Sequence, residues 1–195
     1  MRRGCGSTPD PGRSCSAGER RPSCGASARW PGGTVLELGS GRRGTGLRLA
    51  VDVFGVGRAE GIDRYPASVA ACRTAVADLG DRVDVREGDA TALPAADESY
   101  DAVFAYHVLH HAEAWRDVVR EAARVLRPGG RFFSCEMTAR FVDSRPLRAV
   151  AFHPADADRP TPSGLAAACR DAGLDVLAQE TRLAGCWTGL VATRP

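Results

Sequence analysis

The chain has 195 residues and contains no lysine, no asparagine and a single isoleucine, Ile62. All 26 of its basic residues are therefore arginine. Lysine, asparagine and isoleucine have A/T-rich codons, so their joint scarcity reflects G/C-biased coding and not selection of arginine for phosphate contacts. Without lysine there is no Schiff-base chemistry, and without asparagine that residue plays no part in amide recognition. The seven cysteines (Cys5, Cys15, Cys24, Cys72, Cys135, Cys169, Cys186) form no CxxC pair. No histidine stands at zinc spacing from a cysteine, so no metal site is expected. An odd cysteine count without a secretory signal fits reduced thiols in a cytoplasm, most of the four inside the domain being small core residues. No apolar run approaches the ~20 residues that cross a bilayer. The start of the chain is positively charged but lacks an apolar h-region, so it does not read as a secretory leader. Of the net charge of +2, residues 1–30 carry +4 (six arginines against Asp10 and Glu19), which leaves the remainder at −2. That balance argues against a dedicated nucleic-acid surface.

What is present suits one α/β domain with a sizeable core. Residues 1–30 are rich in Gly, Ser, Pro, Arg and Cys and have no hydrophobic period, so they are expected to be disordered or irregular, with the domain spanning 31–195. Thr34–Leu38 reads as a strand, followed by the glycine loop Gly39-Ser40-Gly41, an apolar-periodic helix, and a second strand ending on Asp63. A βαβ unit that holds the adenosine half of a cofactor has this order, with the terminal carboxylate accepting from two ribose hydroxyls. Pro66 opens a helix that runs towards Gly80. Further strands are predicted at Arg82–Arg86, Tyr100–Tyr106 and Arg131–Met137, with a helix at Glu113–Leu126 between the last two. The charges on that helix (Arg116, Asp117, Arg120, Glu121, Arg124) read as a solvated face. Residues 139–160 have no period, and a segment of that length is usually functional. A last helix ends before Gly173, and two runs, Leu174–Glu180 and Trp187–Ala192, read as a hairpin at the sheet edge.

Five segments together carry a specific likeness: VLELGSG, GID ending in Asp63, EGDATALP, DESYDAVFAYHVLHH and REAARVLRPGGRF. In this order and spacing the chain resembles the class I S-adenosylmethionine-dependent methyltransferases, in particular the branch acting on small molecules. The resemblance implies a Rossmann-like, seven-stranded, mostly parallel sheet with helices on both faces and an antiparallel C-terminal hairpin. It also implies S-adenosylmethionine as cofactor, a small-molecule acceptor, and neither nucleic acid nor membrane as partner. Gly39, Ser40 and Gly41 would line the methionine and ribose side, and Glu37 would order the loop or meet the methionine amine through water. Asp63 would bind the ribose, Arg64 and Tyr65 would flank the adenine, and Asp89 and Ala90 would meet its amine and ring. Tyr106 and His107 would sit beside the transferable methyl.

For a hydroxyl acceptor a general base helps, and His107, His110 and His111 are the candidates, with His153 a further one. The LHH stretch also reads as a structural loop element, and Asp63 and Asp89 also read as helix caps. Tyr100, Trp115 and Trp187 read as packing residues, the last on an edge strand. Two departures stand out: Arg43 replaces the family's third glycine, with Gly44 one place later, and only Trp30 is available as an N-terminal aromatic. Gly39-x-Gly41-x-x-Gly44 also fits an NAD(P)-dependent oxidoreductase. That fold has no use for EGDATALP or VLRPGG, and its Tyr-x-x-x-Lys pair is excluded here. A non-catalytic methyltransferase-like subunit is the remaining reading; the altered loop favours it, and Asp63 and Asp89 oppose it.

Overall fold

The computed structural model describes residues 32–144 and 158–195. The expectations for residues 1–30, Trp30 and His153 fall outside the described residues, as does the middle of the 139–160 segment. Seven strands form one sheet: β1 Thr34–Leu38, β2 Arg58–Asp63, β3 Val83–Glu87, β4 Tyr100–Tyr106, β5 Leu126–Met137, β6 Asp175–Arg182 and β7 Trp187–Thr193. Their order is β3-β2-β1-β4-β5-β7-β6. The first five pair with one another in parallel, and β7 runs antiparallel to both β5 and β6. This is the architecture that the alternation of strands and helices predicts. Its reversed final hairpin sets it apart from an all-parallel dinucleotide-binding sheet.

Helices α1 Thr45–Asp52 and α2 Pro66–Ala75 cover one face of the sheet, and α3 Trp115–Val125 and α5 Pro162–Asp171 cover the other; α4 is the short turn Ala139–Val142. The inner strands are apolar on both sides because both faces are covered. Val35 belongs to the α1 and α2 layer, while Leu36, Leu38 and Ile62 belong to the α3 and α5 layer. Trp115, Phe104 and Phe132 are the largest fully buried side chains. Leu38 lies level with Ile62 on β2 and with Ala105 on β4, so the carboxyl ends of three strands finish at one edge. Between β1 and β4 the strand order reverses, and open α/β sheets bind ligands at that point.

Several boundaries differ from expectation for local reasons. The α-helix opened by Pro66 ends at Ala75, and a 3-10 turn, Ala77–Arg82, follows with Gly80 at φ 60°. Helix α3 starts at Trp115, two residues later than expected. Leu126 already pairs with Tyr100, and the register then slips before Ala102 meets Arg131, so β5 includes the Pro128-Gly129-Gly130 kink. Trp187 corrects the edge-strand reading: β7 is interior, β6 is the edge, and the half-buried indole lies over Gly189 and donates to Cys135 Sγ at 3.0 Å. Tyr100 is buried and donates to Glu60 at 2.7 Å. The charged face of α3 is paired within the chain, Arg124 with Glu121 and Asp97, Arg120 with Asp117, and Arg116 with Asp158. Among the described residues Cys72 and Cys169 are buried free thiols, Cys135 and Cys186 half-buried ones. No helix among them is long and apolar enough to cross a membrane.

Candidate functional site

The loop after β1 is shaped by backbone conformations that only glycine adopts without strain. Gly39 has φ 64°, and a Cβ there would stand 2.4 Å from Val108 Cγ2. Gly44 caps α1 in the left-handed region, where a Cβ would meet Val76 at 2.7 Å and Cys72 at 2.9 Å. The helix cap therefore falls on the displaced glycine, and Arg42 and Arg43 stay exposed at the rim.

Glu37, at the end of β1, is 4% exposed and accepts from Gly46 N–H and Leu47 N–H, both at 2.9 Å. These are orphan donors of the first turn of α1. Burial pushes the Glu37 carboxyl up to about 7, against the pull of those two amides and with a further push from Asp63. Asp63 is buried: Oδ2 accepts from Gly41 N–H at 2.9 Å and Oδ1 from Tyr65 N–H at 3.0 Å. One lone pair per oxygen is thereby left for a ribose hydroxyl. Ser40, also buried, donates its N–H to Ile62 O at 3.0 Å and so ties the loop to β2.

An open cleft of about 620 Å³ lies above this loop. It is lined by Glu37, Gly39, Ser40, Gly41, Arg42, Arg43, Thr45, Gly46, Leu49, Tyr106, His107 and Cys135. Six of the residues singled out from sequence thus meet in one space: Glu37, Gly39, Ser40, Gly41, Tyr106 and His107. Asp63 is one hydrogen bond away, through Gly41. Its volume falls within the roughly 300–1,000 Å³ of ligand clefts. A second groove, of about 480 Å³ beside Arg120, Arg124 and Arg194, contains none of the expected residues, and each of these arginines is ion-paired.

Tyr106 stacks on Phe104 at 5.4 Å, and burial, helped by Glu37 and Cys135, pushes its hydroxyl up to about 12, so it remains a neutral donor. His107 is exposed with φ 54°; its N–H donates to Cys135 O at 2.8 Å and its Nε2 is 3.8 Å from Cys135 Sγ. Burial raises the Cys135 thiol too, which keeps it protonated. His110 is buried, with Nδ1 2.7 Å from Glu136 Oε2, and His111 is exposed with its ring 4.1 Å from that of His110. Neither lines the cleft.

Arg64, Asp89 and Ala90 lie beyond the cleft lining, past the ends of β2 and β3, whose tips are joined by Gly88 N–H donating to Asp63 O at 3.1 Å. Asp89 Oδ1 accepts from Thr91 N–H at 2.9 Å and Thr91 Oγ1 at 2.8 Å, and those bonds hold its carboxyl below the usual range. Ala90 packs against the core, and the exposed Arg64 stands 5.7 Å over the Tyr65 ring. Sequence reasoning passed over Cys135 and Glu136. Cys135 is one of four cysteines of which most are expected in the core, although strand alternation from Phe133 puts it on the face shared with Tyr106. Glu136 is a lone carboxylate inside an apolar strand, and that was the available signal.

The fold and the cleft define an α/β protein with a nucleotide-type site at the strand reversal. Residues 36–134 match the family model described as "Methyltransferase domain", and the chain belongs to that family, the class I S-adenosylmethionine-dependent methyltransferases. S-adenosylmethionine is the methyl donor of this family. The chain is 40% identical over 102 residues to a 27-O-demethylrifamycin SV methyltransferase of Amycolatopsis mediterranei, covering 51% of this chain and 37% of that protein. It is 35% identical over 109 residues to the methyltransferase GfsG of Streptomyces halstedii, covering 56% and 39%. The chain thus spans less than half the length of these curated relatives. Among solved structures, an S-adenosylmethionine-dependent methyltransferase from Mesorhizobium loti superposes with a TM-score of 0.70 at 17% identity over 84% of this chain and 92% of that one. A geranyl diphosphate C-methyltransferase from Streptomyces coelicolor, solved with Mg2+, geranyl diphosphate and S-adenosyl-L-homocysteine, gives 0.68 at 17% identity over 86% and 74%. At such identities the likeness concerns the fold.

Proposed function

We propose that residues 31–195 form a methyltransferase domain that transfers the methyl of S-adenosylmethionine to an oxygen, nitrogen or carbon of a small-molecule acceptor. The observation that carries this reading is the meeting of Glu37, Gly39, Ser40, Gly41, Tyr106 and His107 in one cleft at the strand reversal, with Asp63 hydrogen-bonded to its loop. The bound cofactor supplies a sulfonium methyl open to in-line displacement, a step in which charge is cancelled and positioning counts most. Asp63 accepts from the ribose, and Arg64, Asp89 and Ala90 extend the cofactor subsite past the cleft lining. Glu37 orders the loop through Gly46 and Leu47 N–H and, when ionised, would give the cleft a negative field that favours a cationic ligand. Tyr106 and Cys135, both neutral, bound the reacting region and exclude water. His107 alone of the three adjacent histidines faces the cleft, so it is our candidate to take a proton from a hydroxyl acceptor. His110 and His111 act on the shape of the turn. The curated relatives named for small acceptors, a rifamycin precursor among them, support that acceptor class.

Calorimetric titration with S-adenosylmethionine and S-adenosylhomocysteine, with NADH as control, tests the reading. Micromolar binding of the two sulfur ligands is expected. Asp63→Ala removes hydrogen bonds to a charged group and is expected to weaken binding by about ten- to a hundredfold. Binding of NADH in place of both sulfur ligands would overturn the reading.

A further inference from the structure

Glu136 is fully buried on β5, on the same sheet face as Phe132 and Ser134, the face that meets α3. A buried carboxylate is costly unless its lone pairs are answered. Here Oε1 accepts from Val108 N–H and Leu109 N–H, both at 3.0 Å, and Oε2 is 2.7 Å from His110 Nδ1. All three partners come from one turn, which leaves β4 and begins with His107. That residue has φ 54°, a conformation that costs a non-glycine residue and persists only when its surroundings hold it. The same turn presses Val108 against the glycine loop so closely that Gly39 has no room for a Cβ. From the other side the buried Arg159 donates Nη1 to His110 O at 3.2 Å and Nε to Asp143 at 2.9 Å.

We propose that Glu136 is a positioning residue: its carboxylate fixes the 107–110 turn against the glycine loop, and so sets the affinity of the cleft for cofactor and the placement of the His107 imidazole. The functional half of this inference rests on the methyl-transfer reading. Glu136 does not line the cleft and acts through Val108 and His110. The carboxylate also selects the His110 tautomer with its proton on Nδ1.

Three variants of the full chain test the role, read by amide exchange, 15N spectra of the histidines, and calorimetry with S-adenosylmethionine. In the wild type, the Val108 and Leu109 amides are expected to exchange at least about a hundredfold more slowly than exposed amides. Glu136→Gln keeps both amide bonds through Oε1 and turns its NH2 to His110. We expect its affinity within about threefold of wild type, with the His110 proton moved to Nε2. Glu136→Leu removes every acceptor, and we expect fast exchange at both amides and affinity at least about tenfold weaker. Val108→Ala leaves the backbone donors in place and trims the contact with the loop together with part of the packing of Val108 on the core. It is expected to keep slow exchange and lose about three- to tenfold in affinity. Fast exchange of the two amides in the wild type overturns the proposal, as does unchanged affinity in Val108→Ala. Should Glu136→Leu fail to fold, those two measurements decide. A wild type that binds neither sulfur ligand refutes the methyl-transfer reading, while amide exchange and the His110 tautomer still judge the positioning role.

Discussion

On the proposed methyl-transfer reading, the Glu37 carboxyl is expected to tie cofactor binding to pH in the physiological range. Its ordinary value is 4.5, and burial raises it to about 7 in the folded chain. Ionising it therefore works against the unliganded fold. That contribution to stability is fully present below pH 4.5, declines from there, and is lost as pH passes about 7. By the constant of about 1.4 kcal/mol per unit, the whole change is about 3 kcal/mol. A sulfonium ligand prefers the carboxylate, so binding has the opposite slope. If only ionised Glu37 supports tight binding, about one molecule in eleven is competent at pH 6 and about ten in eleven at pH 8. Affinity for S-adenosylmethionine should then rise about tenfold between these pH values, with release of about 0.9 proton on binding at pH 6. Titration calorimetry in two buffers of different ionisation enthalpy measures both quantities. S-adenosylhomocysteine, whose sulfur is neutral, should show a shallower slope. Glu37→Gln should be flat, with a loss of about 1 kcal/mol in stability because one amide of α1 loses its acceptor. An affinity constant within twofold from pH 6 to 8, or the same slope in Glu37→Gln, would refute the reasoning.

Gly39→Ala combines a positive φ with a 2.4 Å approach to Val108, so a loss of about 1–3 kcal/mol is expected, together with at least tenfold weaker cofactor binding; thermal melts and calorimetry check both. Tyr100→Phe removes the donor to the buried Glu60 and should cost about 1–2 kcal/mol in urea unfolding. Burial pushes Glu60 up, yet the Tyr100 hydroxyl, Arg86 and Arg58 together hold it below 4.5. Its stabilising share is therefore present above that pH and falls away in acid. Tyr100→Phe should shrink that acid-sensitive share, and an unchanged acid profile would count against it.

Local signals made most of the fold legible. Strands β1 and β4 fall where apolar runs are bounded by glycine or polar turns, and the glycine loop gains its meaning from the segments that follow it. What escaped depends on partners distant in sequence. The pairing of Leu126 with Tyr100 extends β5 through a Pro-Gly-Gly stretch that reads locally as a break. Gly80 signals a helix stop locally, but its φ of 60° lies inside the 3-10 turn Ala77–Arg82. The candidate site divides in the same way. Cleft residues adjacent to strand ends were legible from position, whereas the burial of His110 follows from Glu136, 26 residues away. Periodicity in LHH cannot reveal which imidazole meets that carboxylate. At the described ends of the 139–160 segment, Arg159 donates to Asp143 and Ala139 N–H to Pro160 O, contacts between residues 16 and 21 apart that no local period announces.

The interior position of β7 sets an order of events during synthesis. Strands β5 and β6 are joined only through residues 187–193, which are made after the other six described strands. Until those residues emerge, β5 offers an unpaired edge and β6 has no place in the sheet, and open edges of this kind recruit other chains. The nascent domain can build β1 to β5 early, but closing the sheet is a late, non-local step that slows folding. Chains halted before Trp187 should accumulate as aggregation-prone intermediates, because the edge of β5 then stays open.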